Sequence, residues 1–126
     1  MFPDPLQFPG YVDQDKVPHV RTDFGDGVGE FTYADVNHPQ TVTIKQNKST
    51  RRFRREIRIS RSALFTDPLS AVTTEQGASV YLVIDEPRAG FGDLELNNMV
   101  VALTTYLGGA KPTDNAAVLR LLAGEY

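Results

Sequence analysis

Two adjoining stretches of this chain change chemical character at every second residue, and that spacing commits them to extended strands. In "QTVTIKQ" Val42, Ile44 and Gln46 fall on one side, and Thr41, Thr43 and Lys45 on the other. In "RRFRREIRIS" the odd positions are Arg51, Phe53, Arg55, Ile57 and Ile59, and the even positions Arg52, Arg54, Glu56, Arg58 and Ser60. One side of the second stretch is wholly polar, while the other becomes apolar toward its C-terminal end. A helix would align Phe53 with Ile57 but leave Ile59 off that stripe, and the β-branched side chains favour the strand. Arg55 fits neither pattern, so a bulge or the margin of a sheet is expected there.

The same residues concentrate charge. Residues 45–61 hold eight cations and one glutamate, a local sum of +7, although the chain of 126 residues carries −3 overall and everything outside the segment therefore sums to −10. An acidic chain with its cations gathered on one pleated segment is expected to present a surface to an anion. Few acids lie nearby in sequence, and the interleaved Phe53, Ile57 and Ile59 argue against an unfolded localisation signal.

Around this segment the chain reads as one α+β domain. Residues 1–10 contain three prolines and suit an extended arm. Residues 11–86 suit a β-meander: "KVPHVRT" and "VGEFTYADV" flank the turn-rich "DFGDG", "NKST" can reverse the chain before the arginines, and "SVYLVIDEP" is a strand ended by Pro87. "SALFTDPLSAVTTEQGA" between them is expected to be a long loop, and loops of that length carry function. From Asp93 the period changes to about three and a half. Leu96, Val100, Leu103 and Leu107, joined by Met99 and Tyr106, form a stripe over a helix at 93–107 that stops at Gly108 and Gly109. A second helix is expected at 113–123, capped near Thr113 or Asp114. Val118, Leu119, Leu121 and Leu122 nearly encircle it, which calls for burial on several sides and hence a partner subunit.

With two C-terminal helices assigned to one face of an antiparallel sheet, none is left for the other. That face would carry Thr41, Thr43, Lys45, Arg52, Arg54, Arg58 and Tyr81. Cations neutralise phosphates, a tyrosine ring stacks on an unpaired base, and threonine hydroxyls bond to base edges, so single-stranded nucleic acid is the ligand this set suits.

Catalytic and metal-binding patterns are not found. There are no cysteines, so neither disulfides nor thiolate metal sites are expected. His19 and His38 lie apart, each beside a proline, and read as surface or turn residues. "GDGVG" resembles a phosphate loop in outline but leads into a strand, so it reads as a hairpin turn. The acids near Asp93 suit a helix N-terminus. No enzyme activity, cofactor or metal is expected. The start "MFPDPLQFPG" lacks the features of a secretory signal, and no apolar run approaches the roughly eighteen residues of a spanning helix, so a soluble protein with no membrane partner is expected.

In element order and in the strings "TVTIKQ", "IRIS", "SVYLVI", "FGDLELNNMVVALTTYL" and the final "AGEY", the chain resembles the coat proteins of single-stranded RNA bacteriophages, the levivirus group, over about residues 28–126. The resemblance implies an N-terminal β-hairpin and a five-stranded antiparallel sheet followed by two α-helices, in an interlocked homodimer. It further implies an icosahedral virion capsid assembled in the host bacterial cytoplasm, and an inner sheet face that binds a viral RNA stem-loop and represses replicase translation.

Transferred by position, Thr41 and Thr43 would receive an unpaired adenine, Lys45 would meet a phosphate and Tyr81 would stack. In the basic strand the contact positions fall either on Arg54 or on Glu56 and Arg58, with Arg52 on the same face. The loop at 62–78 would meet neighbours at the shell's symmetry axes. The proline-rich arm has no counterpart, and the arginine density exceeds the family pattern, which favours general RNA condensation over selection of one hairpin. A small dimeric host RNA- or DNA-binding regulator that forms no particles is the alternative from another class.

Overall fold

The computed structural model describes residues 2–9, 16–34, 39–108 and 116–125. The chain divides into two compact units, Met1–Arg88 and Ala89–Tyr126. The first contains β1 (Leu6–Pro9), β2 (Lys16–Gly25), β3 (Val28–Tyr33), β4 (Gln40–Lys48), β5 (Arg52–Thr66) and β6 (Thr73–Pro87); the second contains α1 (Asp93–Tyr106) and α2 (Ala116–Leu122). The strands form one antiparallel sheet in sequence order. The α+β class is as expected. The N-terminal hairpin and the strands after it form a single six-stranded sheet, with the arm contributing β1 as its first strand.

The alternation of residues 40–61 sets the faces. β4 and β5 pair without interruption from Gln40 opposite Arg61 to Lys48 opposite Phe53. Arg55 therefore sits in regular register, opposite Gln46 on one side and Ile84 on the other. It needs no bulge, because its guanidinium pairs with the buried carboxylate of Glu86 from β6. The observed irregularity is at Thr22 in β2, where the register shifts between Arg21 and Asp23.

Phe31, Val42 and Ile44 share the even-numbered face of β4 and are buried with Leu6 of β1. In a flat sheet strands three places apart would lie about 14 Å from each other. Yet Leu6 joins the cluster made by β3 and β4, and Gln40 Nε2 donates to the Pro9 carbonyl at 3.0 Å. The sheet thus curls β1 and β2 over this face. The β2–β3 turn is the two-residue hairpin that "DFGDG" suggests, with Gly27 at φ +72°. A Cβ at that position would collide with the Gln46 carbonyl oxygen, so glycine is required by both backbone angle and space.

His19 corrects its sequence reading as a surface or turn residue: it is fully buried. Its Nδ1 donates to the Val17 carbonyl and its Nε2 accepts from Gln40 Nε2, both at 3.0 Å, between the rings of Phe8 and Tyr33. Gln40 Oε1 in turn accepts from Arg61 Nε at 2.6 Å. Burial is tolerated because both ring nitrogens are satisfied. His38, like the expected caps Thr113 and Asp114, lies outside the described residues.

The loop expected at 62–78 is mostly strand: residues 62–66 and 73–78 extend the sheet, and 67–72 form the tip between them. Ser62 to Thr66 pair with Gly77 to Thr73, so β5 and β6 form one hairpin of fifteen residue pairs. Its tip is held by Asp67, whose carboxylate accepts from the Leu69 amide at 2.9 Å. That bond, followed by one from Ser70, holds the Asp67 carboxyl below the usual carboxylate range. Leu64, Phe65 and Leu69 are exposed along the extension.

In the second unit, α1 ends as its sequence requires: the Leu107 amide bonds the Leu103 carbonyl, and Gly108 follows at φ +102°. None of its residues is buried; Leu94, Met99, Leu103 and Tyr106 are exposed, as are Leu119, Leu121 and Leu122 of α2.

Candidate nucleic-acid interface

The strand register places every sequence-predicted site residue on one face of β4, β5 and β6, opposite the buried cluster. Thr43 pairs with Arg58 and Arg58 with Tyr81, giving a row that continues to Glu30 of β3. The row beside it is Thr41, Ser60 and Ser79; on the other side lie Lys45, Glu56 and Val83. Arg54 pairs with Asp85 in register, and Arg52 is two residues before it on the same side. The placement follows from parity alone, since positions two apart point the same way and directly paired residues share a face.

Within the face the side chains are organised around Tyr81, which is half exposed. The Arg58 guanidinium lies over its ring at 4.3 Å from the centroid. Glu56 holds it there, accepting from Arg58 Nε at 2.8 Å. Arg58 thereby acts as a planar stacking group on top of the tyrosine, a surface on which a base can itself stack. Arg54 is exposed and its side chain has no hydrogen bond or ion pair among the described residues; the side chain of Lys45, half-buried, likewise has none.

The face also contains residues that the sequence reading left out of its candidate set. Ser60 and Ser79 join Thr41, Ser62 and Gly77 in lining a depression of about 360 Å³ next to the Tyr81 row. Their alternation was legible, but their neighbourhood required the strand pairing. Acids also arrive from distant sequence. Glu30 bonds Thr22 within the sheet, and Asp85 accepts from Arg52 Nε at 2.7 Å. Acids that are few nearby in sequence are thus brought near in space: β6 supplies Asp85 and Glu86 to the arginine strand, and β3 places Glu30 beside Thr43 of β4. The exposed Arg52–Asp85 pair contributes little to stability.

The basic segment is thus divided. Arg52, Arg54 and Arg58 lie on the Tyr81 face, and Arg55 and Arg61 on the opposite one. Among the described residues no group of three or more His, Asp or Glu side chains is placed to hold a metal ion, and no helix is long and apolar enough to cross a membrane.

No protein-family model and no curated protein sequence matches the chain. Among solved structures it is similar to a chain of the virus-like particle of Wenzhou levi-like virus 1. The TM-score is 0.57 at 16% sequence identity, over 86% of this chain and 91% of that one. The chain has the fold of that particle protein, as its sequence resemblance to the levivirus coat proteins implies.

Proposed function

We propose that this protein is a capsid subunit: it dimerises, builds an icosahedral shell and binds viral single-stranded RNA through the Thr43–Arg58–Tyr81 face. The observation that carries the reading is β6. It is a fifteen-residue strand at the end of the sheet, with one edge unpaired among the described residues. Monomeric proteins shorten, charge or cover such an edge. Antiparallel pairing of β6 with its copy in a second subunit would satisfy it and join two sheets into one.

The dimer would also have apolar surface to bury. On the core side of the sheet Ile57 and Val80 are exposed, and the leucines of α1 and α2 are exposed in their own unit. Interlocked helices of a second subunit are the partner proposed for them. In the shell the Tyr81 face would look toward the genome. Thr41, Ser60 and Ser79 would contact an unpaired base, the Arg58–Tyr81 stack would support one, and Lys45 and Arg54 would meet phosphates. Binding to a hairpin at the replicase start would repress its translation.

Electron microscopy of the purified recombinant protein is expected to show uniform closed shells. A dispersed dimer with no particles would favour the host regulator instead. On the RNA face, Tyr81→Ala should weaken binding to a cognate stem-loop by about 1–3 kcal/mol, with dimerisation intact and Thr43→Ala acting in the same direction. Unaltered affinity of both variants in filter binding would rule out this face as the RNA contact.

A further inference from the structure

The positive charge of the sheet is not centred on the Tyr81 row. Around that row the cations Lys45 and Arg58 are matched by Glu30 and Glu56. The excess lies at the end of the sheet where β4 turns into β5 and β6 finishes. Lys48, Arg51, Arg52, Arg54, Arg55 and Arg88 converge there against two carboxylates among the described residues, Asp85 and Glu86. Both carboxylates are already committed, to Arg52 and Arg55.

On the face opposite Tyr81 three of these cations surround one ring. Lys48 Nζ, Arg55 Cζ and Arg88 Cζ stand 5.6, 5.4 and 4.7 Å from the centroid of Phe53. Arg88 is fixed in place: its amide donates to the Arg51 carbonyl at 3.2 Å and its Nε to the Ser49 carbonyl at 3.0 Å. Lys48 and Arg88 are exposed and have no carboxylate partner among the described residues. The ring attracts each cation and Glu86 offsets Arg55, but the repulsion between Lys48 and Arg88 remains, and a bound anion would relieve it.

We propose that the β4–β5 turn end is a phosphate-binding site, formed by Lys48, Arg55 and Arg88 around Phe53 and extended over the end by Arg51 and Arg54. Its ligand is the phosphodiester backbone of single-stranded RNA, taken without regard to sequence. The assignment of RNA rests on the function proposed above; the anion site itself rests only on the cation cluster. The two regions divide the task. The Tyr81 row, close to neutral, receives bases; a backbone that passes Arg54, about 13 Å along the strand from Arg58, and crosses the turn end reaches the cluster on the opposite face.

The test compares full-length protein with a Lys48→Gln/Arg88→Gln double variant and a Lys48→Glu variant, in binding to a uridine homopolymer across a salt series. Each phosphate contact on a single strand contributes about 0.7 to the slope of log affinity against log salt, so the double variant should lose about 1.4 and bind on the order of tenfold more weakly at 0.1 M salt. Lys48→Glu alters an exposed side chain whose only described contact is with the ring, so it should fold and bind more weakly, while Tyr81→Ala should leave the slope unchanged. A wild-type slope in both charge variants would overturn the proposal. If the wild-type protein binds no RNA, the function proposed above fails separately, and inorganic tripolyphosphate then decides the site by NMR. Shifts of the Arg55 and Arg88 Nε–H signals that disappear in Lys48→Glu would uphold an anion site, and unmoved signals would overturn it.

Discussion

Phe31→Ala is expected to destabilise the protein by about 3–5 kcal/mol, seen as a lower urea midpoint at fixed protein concentration. Phe31 is 1% exposed and lies opposite Val42, which is fully buried. Leu6 from the curled N-terminal strand and Ile44 complete the buried cluster, with Phe8 packed against it. Such a small cluster has few neighbours able to move into the space the ring leaves. The loss is also a large share of the 5–15 kcal/mol typical of a folded domain. A midpoint that implies less than about 1 kcal/mol would mean that the face carrying Phe31 is not the interior.

The second large effect is expected from Gln40→Leu, which keeps the side-chain size and removes its polar atoms. Gln40 is 2% exposed and joins three elements: its amide nitrogen donates to His19 and to the Pro9 carbonyl, and its oxygen accepts from Arg61. Leucine would leave the buried His19 Nε2 without its donor and remove the bond that ties β1 to β4. Each buried polar group so orphaned costs about 1–3 kcal/mol, for a total of about 2–4 kcal/mol. The melting temperature should fall by roughly 10 °C, and amide exchange should quicken first in β1 and β2. A variant melting within about 1 °C of wild type would show that these bonds do not hold the N-terminal strands.

Much of the fold was legible because its signals are local. A period of two in residues 40–61, and again in 79–85, fixed which side chains share a face within each strand, and their polar character assigned Thr41, Thr43, Lys45, Arg52, Arg54, Glu56, Arg58 and Tyr81 to one side before any pairing was known. The change of period at Asp93, and Gly108 after the last turn, marked α1 almost to the residue. The β5–β6 extension was not legible. Its side chains bury nothing within the chain, so no apolar alternation marks it, and its strands are joined by backbone hydrogen bonds to which almost any sequence can contribute.

Residue types and their spacing were enough to specify strands, faces, helix ends and the conformation required at Gly27, since each depends on a few consecutive backbone angles. Side-chain environment was settled by register and curl. Glu86 meets Arg55 across thirty-one positions, Asp85 meets Arg52 across thirty-three, and His19 meets Gln40 across twenty-one. These meetings neutralised Arg52 and Arg55 and buried a histidine, and the pairing of β5 with β6 turned Arg58 into a stacking group on Tyr81. Local spacing carries no information about which distant group will neutralise a charge or satisfy a ring nitrogen, because that follows from how strands paired side by side roll over one another.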